Sequence, residues 1–513
     1  MQENEFILET KLTKFEALNK EQLIQRLEIV EGELSKLVKE LYLLRDKEVL
    51  TPEQIELLTD EQIASLQEQL YGSKSEKYKN PNKPEEKDID KPERPIKPRV
   101  QKPSERYPNI PVKINKVTMN PPPQCTACGE VMFDSGMTEN SQQLTVIPKK
   151  YEIIETQRVK YKCSCQGCLQ VAPVAPKIKE NSIYSNEMVL DVVLSKYCDL
   201  IPIERYSAMA SREGTINLPP HSLIELTHYF AEFIKNVYLR LRSEVLLSRV
   251  LRADETPHRM LEGDDKKSWY LWGFSTDKVC FFECHNTRSG DVASYILEKS
   301  QCEILVSDVY SGYNKAIRVA NATRRKDKRP LIKNANCNAH ARRYFFKYFK
   351  LHPSSEDARY YLDKYQEIYK LNELARGKSP PEVLNLRQQM RPFFEEMKSK
   401  AIKDINKYPS SNGLSKAHGY LINNYANLTR FLDDAEIPID NNSQESLLRN
   451  PVIGRKTWYG THSERGAQTA AIIFSLVETC KLNKINPREY FKDLTDALLA
   501  GNETFTPSEY SNR

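Results

Sequence analysis

The sequence predicts a multidomain α/β protein on three observations. Hydrophobic periodicity changes along the chain, from heptad spacing near the start, through helical spacing, to short β-rich runs alternating with helical patterns. A Pro-, Lys- and Glu-rich stretch with almost no apolar residues divides the chain. Two apolar strands carry Asp254 and Asp308 at or near their ends, which is how a mixed sheet presents charge at a site.

At 513 residues there is room for several cores, and 39% hydrophobic with 28% charged residues exclude a wholly disordered chain. The formal net charge of +6 is slight for this length, so a nucleic-acid partner must be met by local basic patches. The opening MQENEF lacks the basic and apolar regions of a secretory signal. No apolar run approaches the roughly 18 residues of a membrane span, so a cytoplasmic protein with no membrane partner is expected. Eleven cysteines, an odd number, argue against a disulfide framework in a reducing compartment.

Residues 1–79 open with an apolar seam through Leu23, Leu27, Val30, Leu34, Leu37, Leu41 and Leu44. Its alternating spacing of four and three predicts a coiled coil and self-association, at least as a dimer, with an amphipathic helix packed within one chain as the alternative. Shorter helical patterns follow from Thr51-Pro52-Glu53. Residues 80–108 form the extended Pro/Lys/Glu linker.

Residues 109–180 alternate apolar and polar side chains in QQLTVIPKKYEIIETQRVKYKC, the pattern of short antiparallel strands. The pair Cys125 and Cys128 precedes them and the pair Cys165 and Cys168 follows, a donor set for a tetrahedral structural zinc ion, with Cys163 as an alternative to Cys165. Such a site staples a small β domain and carries no chemistry of its own. Residues 181–247 read as helices, with a turn at Ile201-Pro202, a break at Gly214 and a long helix from about Pro220. They suit a helix-turn-helix that docks on DNA, or an ordinary helical packing domain.

Residues 248–480 carry the chemistry. SRVLRADETPHRML is a strand with Asp254, SWYLWGFSTD and VCFFECHNT are two aromatic strands, and a helix is expected over Asp291 to Lys299. CEILVSDVYSGY is a continuous apolar strand delivering Asp308. Two ionised carboxylates placed close together repel unless a cation neutralises them, and magnesium takes such oxygen ligands. PIDNNSQESLLRN opens a further helix, where Asn442 and Glu445 have the spacing of a capping box and Glu445 is also a candidate metal ligand.

Taken together, DET at 254–256, SDVYSGY at 307–313, CNAHARRYF at 337–345 and IDNNSQESLLRNPVIGRKTW at 439–458 resemble the successive motifs of the DDE transposases of the insertion-sequence 66 family. LYGSKSEKY, the cysteine pairs flanking LTVIP, and the tail LVETCKLNKINPREYFKDLTDAL fit the same layout, so the resemblance spans nearly the whole chain. It implies an RNase H-like mixed-sheet catalytic core in which Asp254, Asp308 and Glu445 hold two Mg²⁺ or Mn²⁺ ions, with Asp440 as the rival to Glu445. The stretch between Asp308 and Glu445 is too long for one crossover, so residues about 350–430 are expected to be a helical insertion, and residues 481–513 a C-terminal helical tail. The implied activity is cleavage at transposon ends followed by strand transfer into target DNA. Accessory proteins from the same element and a bacterial, nucleoid-associated location are implied as well.

Around these carboxylates stand further candidates for DNA binding. His340, Arg342 and Arg343 lie in CNAHARRYF, where the arginines suit phosphate. Cys337 and His340 have the spacing of half a zinc site without a second pair nearby, and are expected to be structural or DNA-facing. Arg449 follows Glu445 by one helical turn, while Arg455, Lys456 and Trp458 form a basic-aromatic strip suited to phosphates and bases. RRKDKR at 324–329 reads as an exposed basic loop. Two other functions fit the same residues: an RNase H-fold nuclease or resolvase without strand transfer, and a DNA-binding regulator that has lost catalysis.

Overall fold

A computed structural model describes residues 102–511, apart from 119, 121, 125, 133–139, 147–148, 163–168, 215 and 262–267. The expected coiled coil and most of the linker lie outside the described residues. So do Cys125, Cys163, Cys165 and Cys168. The described residues divide into two compact units, one within 79–156 and 210–216 and the other within 157–209 and 217–511.

In the smaller unit the regular structure among the described residues is a single helical turn, Pro103–Arg106, an isolated antiparallel bridge between Gln124 and Val131, and the last turn of the helix Ile203–Gly214. That bridge closes the turn bearing exposed Cys128, with Gly129 in the left-handed region at φ +77°. The strand pattern of residues 140–156 does not become a ladder: Ile153 and Ile154 are 99% and 71% exposed, so no packed face rewards pairing. Strand pairing begins in the larger unit, with a short hairpin of β1 (Lys160–Lys162) and β2 (Leu169–Val171).

Four helices follow: α1 (Asn186–Tyr197), α2 (Ile203–Gly214), α3 (Pro220–Phe233) and α4 (Lys235–Leu247). Ser185 caps α1 by accepting the Met188 N–H at 3.2 Å, and Pro220 takes the first position of α3. The long helix expected from Pro220 is broken at Ile234, whose ψ of 6° ends one helix and begins the next.

The five-stranded sheet comprises β3 (Val250–Arg259), β4 (Ser268–Ser275), β5 (Cys280–His285), β6 (Ile304–Ser307) and β7 (Lys333–Asn336) in the order β5-β4-β3-β6-β7. The β3–β4 and β4–β5 pairs are antiparallel, and the β3–β6 and β6–β7 pairs parallel. The parallel crossovers run through α5 (Gly290–Lys299) and α6 (Ser311–Lys326). Edge strand β5 is covered by α12 (Glu464–Leu482). There the Ser475 and Thr479 hydroxyls accept the Phe282 and Cys280 N–H groups at 2.8 and 3.0 Å, removing the donors that expose an edge to unwanted pairing.

Between β7 and the Glu445 helix run α7 (Asn338–Leu351), α8 (Glu356–Leu374), α9 (Pro380–Asp404) and α10 (Gly413–Asn423). Their apolar faces form one core around Phe345, Tyr361, Tyr365, Phe394 and Leu421, continuous with Ile304, Val306 and Ala335 of the sheet. Buried Arg387 donates to the Phe431 and Asp434 carbonyls, so the chain leaving this layer is held as it turns back toward the sheet. There it begins α11 (Asn442–Trp458), and the tail holds α13 (Pro487–Leu499) and a last helical turn, Pro507–Tyr510. No helix among the described residues is long and apolar enough to cross a membrane.

The basic stretch 324–329 is only partly an exposed loop. Arg324 is 1% exposed and donates to the Leu297, Ser300 and Pro330 carbonyls, while Arg329 donates to those of Glu298 and Ser300. Two guanidinium groups thus satisfy carbonyls at the C-terminal end of α5, where a positive charge is favoured. Arg325, Lys326 and Lys328 remain exposed.

Candidate active site

Parallel register brings the two aspartates together. Arg252 of β3 stands opposite Val306 of β6, and two residues further along each chain stand Asp254 and Asp308. Asp308 Oδ1 accepts the Tyr310 N–H at 2.9 Å, a local turn that carries the chain from β6 into α6. Asp254 Oδ1 accepts the Glu255 N–H at 2.9 Å. Burial pushes the Asp254 carboxyl up to about 8, and the charges of Glu255, Asp308 and Glu445 push in the same direction. A proton therefore occupies Asp254 at neutral pH, or a cation takes its place.

Glu255, on the other face of β3, is only 2% exposed at its side chain and is fully engaged. Arg288 donates to its Oε1 at 2.8 Å and the Tyr313 hydroxyl to its Oε2 at 2.5 Å. Arg288 in turn lies over the Tyr310 ring at 4.2 Å, and Tyr310 donates to the Arg288 carbonyl at 2.8 Å. This network ties the segment after β5 to the turn that bears Asp308.

Glu445 enters from α11, which is fastened to β3 at both ends. At its start Asn441 Nδ2 donates to the Ala253 carbonyl at 3.0 Å. Beyond its end Thr461 N–H donates to the Arg259 carbonyl at 3.0 Å and Leu261 N–H to the Thr461 carbonyl at 2.8 Å. The lengths match: the 17 residues of α11 rise about 25 Å, and the strand from Ala253 to Arg259 spans about 20 Å. Gly460, at φ +111°, makes the closing turn, since a Cβ there would overlap the Arg259 carbonyl.

The expected capping box is absent. Asn441 is the N-cap, and Asn442 is already helical because Asp440 Oδ1 accepts its N–H at 3.1 Å. The Asn442 side chain donates to Asp440 Oδ2, which also receives the Tyr369 hydroxyl at 3.0 Å. Asp440 is thus tied to α8 and its own turn, and Glu445 is left for other partners. These come from α7: His340 Nε2 lies 3.6 Å from Glu445 Oε1, and an Arg343 nitrogen lies 3.5 Å from Oε2.

Of the remaining candidates, Arg455 is half-buried and donates to Thr256 Oγ1 at 3.4 Å, two residues along the strand from Asp254 and on the same face. Arg449 and Lys456 are exposed. Arg342 is half-buried with its guanidinium 5.7 Å from the Phe346 ring. Trp458 packs inward, under the Lys196 ammonium at 4.3 Å and edge-on to Tyr197, so its ring is engaged with α1.

The sequence profile described as "Transposase IS66 family" matches residues 181–469, more than half of the chain and all three carboxylates. The chain belongs to the IS66 transposase family. Two relatives from Sinorhizobium fredii are similar over most of their length: the uncharacterized protein y4hP, 25% identical over 75% of this chain and 72% of its own, and the uncharacterized protein y4qI, 26% identical over 74% and 71%. Membership in a transposase family implies DNA as substrate and cleavage of nucleic acid in general.

Gly273 and Gln444 escaped the sequence reading, and so did the grouping of Cys337 and His340 with Glu445. Buried Gln444 lies against Gly273, the β4 residue paired with Asp254; a Cβ at 273 would overlap Gln444 Nε2 and stand 2.9 Å from the Phe282 ring. Neither amide atom of Gln444 has a hydrogen-bond partner. Cys337, His340 and Glu445 place one ligand atom each within 4.8 Å of one another. The C-x2-H spacing was visible in the sequence, but its third member lies on a different helix far along the chain.

Proposed function

We propose that this chain is a DDE transposase that cleaves insertion-sequence ends and joins them to target DNA, with Asp254, Asp308 and Glu445 as the catalytic carboxylates. The observation that carries the reading is the continued β3–β6 register, which sets Asp254 beside Asp308 while a helix strapped to β3 supplies Glu445. A sheet with three antiparallel strands followed by two parallel ones, ordered β5-β4-β3-β6-β7, supports an RNase H-like core.

The donor set fits two hard divalent cations. It is all oxygen, Asp254 carries repulsion that a cation relieves, and Glu445 Oε1 is buried without a hydrogen-bond partner. Mg²⁺ or Mn²⁺ bound there supplies charge neutralisation at the attacking and leaving oxygens of the phosphodiester. The chain's own residues do the rest. Asp254 gives up its proton on loading, α11 holds Glu445 at a fixed distance from β3, and Arg455 with exposed Arg449 and Lys456 offers guanidinium and ammonium donors to DNA phosphates. His340 and Arg343 of α7, which stand beside Glu445, and Arg342 on the same helix offer further donors to DNA, and Trp458 backs the basic strip as packing.

The reading extends to the whole chain: residues 1–79 associate as a coiled coil, Cys125, Cys128, Cys165 and Cys168 hold a structural zinc ion, and the helices of 181–247 contribute to DNA binding. Pairing two DNA ends accounts for such modules better than single cuts do. A strand-transfer assay tests it, using transposon-end DNA, target DNA and Mg²⁺. Joined products from wild type, lost in Asp308→Asn while DNA binding persists, are expected; cleavage with no joining would point to a nuclease instead.

A further inference from the structure

We propose that Cys337, His340 and Glu445 form a separate site for a soft divalent cation of the zinc class, and that its occupation withdraws Glu445 from the other carboxylates. The three residues come together because Cys337 follows β7 directly as the N-cap of α7, α7 presents His340 one turn later, and α11 is fastened alongside. Their ligand atoms lie within 4.8 Å of one another.

One distance and one unpartnered oxygen favour a shared cation over a direct bond. His340 Nε2 and Glu445 Oε1 are 3.6 Å apart, too long for an N–H···O hydrogen bond, and Glu445 Oε1 is buried with no such partner. Nitrogen and oxygen ligands on one tetrahedral zinc ion sit roughly 3.3 Å apart, given metal–ligand bonds of about 2.0–2.1 Å. The pair thus needs only a small closure. Burial pushes the Cys337 thiol up to about 12, so it is a thiol until a cation displaces the proton; Sγ accepts the Asn441 N–H at 3.2 Å, and the His340 backbone N–H reaches it from the first turn of α7. Backbone donors of this kind stabilise a ligating thiolate from outside the coordination shell. An Arg343 nitrogen lies 3.5 Å from Glu445 Oε2, whereas His340 faces Oε1.

The donor set decides the metal. Sulfur, nitrogen and oxygen together suit zinc or cobalt and do not suit magnesium, which takes oxygen. Three protein ligands leave a fourth position open to water. Because Glu445 is common to both sets, soft-metal binding is inhibitory, a consequence that rests on the role proposed above for Glu445.

Cobalt is the probe. The full-length, metal-stripped chain is titrated with Co²⁺, and metal equivalents are counted in wild type, Cys337→Ser and His340→Gln, so that cobalt held at the other cysteines cancels in the difference. Each variant is expected to bind one equivalent fewer and to lose one thiolate-to-cobalt absorption contribution. His340→Gln replaces a part-exposed side chain and serves if Cys337→Ser does not fold. Unchanged stoichiometry in the folded variants overturns the site. In Mg²⁺-driven cleavage, Zn²⁺ is expected to inhibit wild type about tenfold or more strongly than Cys337→Ser. Equal inhibition overturns the sharing of Glu445. Loss of the cobalt equivalent from a chain with no cleavage in wild type leaves the site standing and removes the transposase mechanism instead.

Discussion

Asn441 Nδ2 donates to the Ala253 carbonyl at 3.0 Å, joining the N-cap of α11 to the strand residue immediately before Asp254. Asn441 is 1% exposed, so no water replaces the bond if the amide is removed. Asn441→Ala is expected to cost about 1–3 kcal/mol in denaturant unfolding, the penalty of an unpaired buried carbonyl. Cleavage should fall further than DNA affinity, because the bond sets where Glu445 stands relative to Asp254. A variant with wild-type cleavage would remove this bond from the positioning of the site.

Gly273 and Gln444 make a second such contact. Gly273→Ala places a methyl group against Gln444 and the Phe282 ring, and overpacking of this kind costs about 1–3 kcal/mol. Shortening the glutamine should relieve it, so Gly273→Ala with Gln444→Ala is expected to be more stable than the sum of the single changes predicts. Strict additivity in a double-mutant cycle would show that the two side chains do not meet.

Much of this geometry was legible in the sequence because it is local. Asp308 follows a strand whose apolar run is continuous, Asp254 lies within the strand read around it, and Gly214 ends α2 as expected. What escaped depends on contacts between distant segments. Asn442 looks like a cap, but Asp440, tied to α8 through Tyr369, starts the helix one residue early. Trp458 reads as a DNA-stacking residue until Lys196 and Tyr197, from more than 200 residues away, take up its ring. Residues 140–156 have strand periodicity without a packed face to pair for, and periodicity alone does not reveal that.

Two buried histidines predict acid sensitivity. Burial lowers His258, beside Thr461, to about 4, and burial likewise lowers His418, among the aromatic rings of α7 and α8, to about 4. The unfolded chain takes up these protons near pH 6.5, whereas the folded chain does so only near 4. Stability from neutral burial is therefore complete above pH 6.5 and lost as pH falls toward 4, by roughly 3 kcal/mol for each histidine. Denaturant unfolding at pH 7.5 and 5.0 measures the loss, which should shrink in His258→Gln. An equal loss in variant and wild type would clear His258 of the effect.

Asp254 predicts the opposite slope. Its carboxyl is raised from 3.8 to about 8, by burial first and then by the repulsion of Glu255, Asp308 and Glu445. A raised acid favours the protonated folded state, so in the metal-free protein its contribution is complete below about pH 4 and declines as pH rises toward 8. Added Mg²⁺ competes with that proton, and its stabilising effect should be larger at pH 8.5 than at pH 6. Asp254→Asn keeps an oxygen for the Glu255 N–H and removes the charge. At pH 8.5 without metal it is expected to be more stable than wild type by at least about 1 kcal/mol, the equivalent of one pKa unit. The same variant should lose metal-dependent cleavage and most of the stabilisation by Mg²⁺. If wild type and Asp254→Asn unfold at the same denaturant concentration at pH 8.5, the carboxylates do not repel one another as their placement requires.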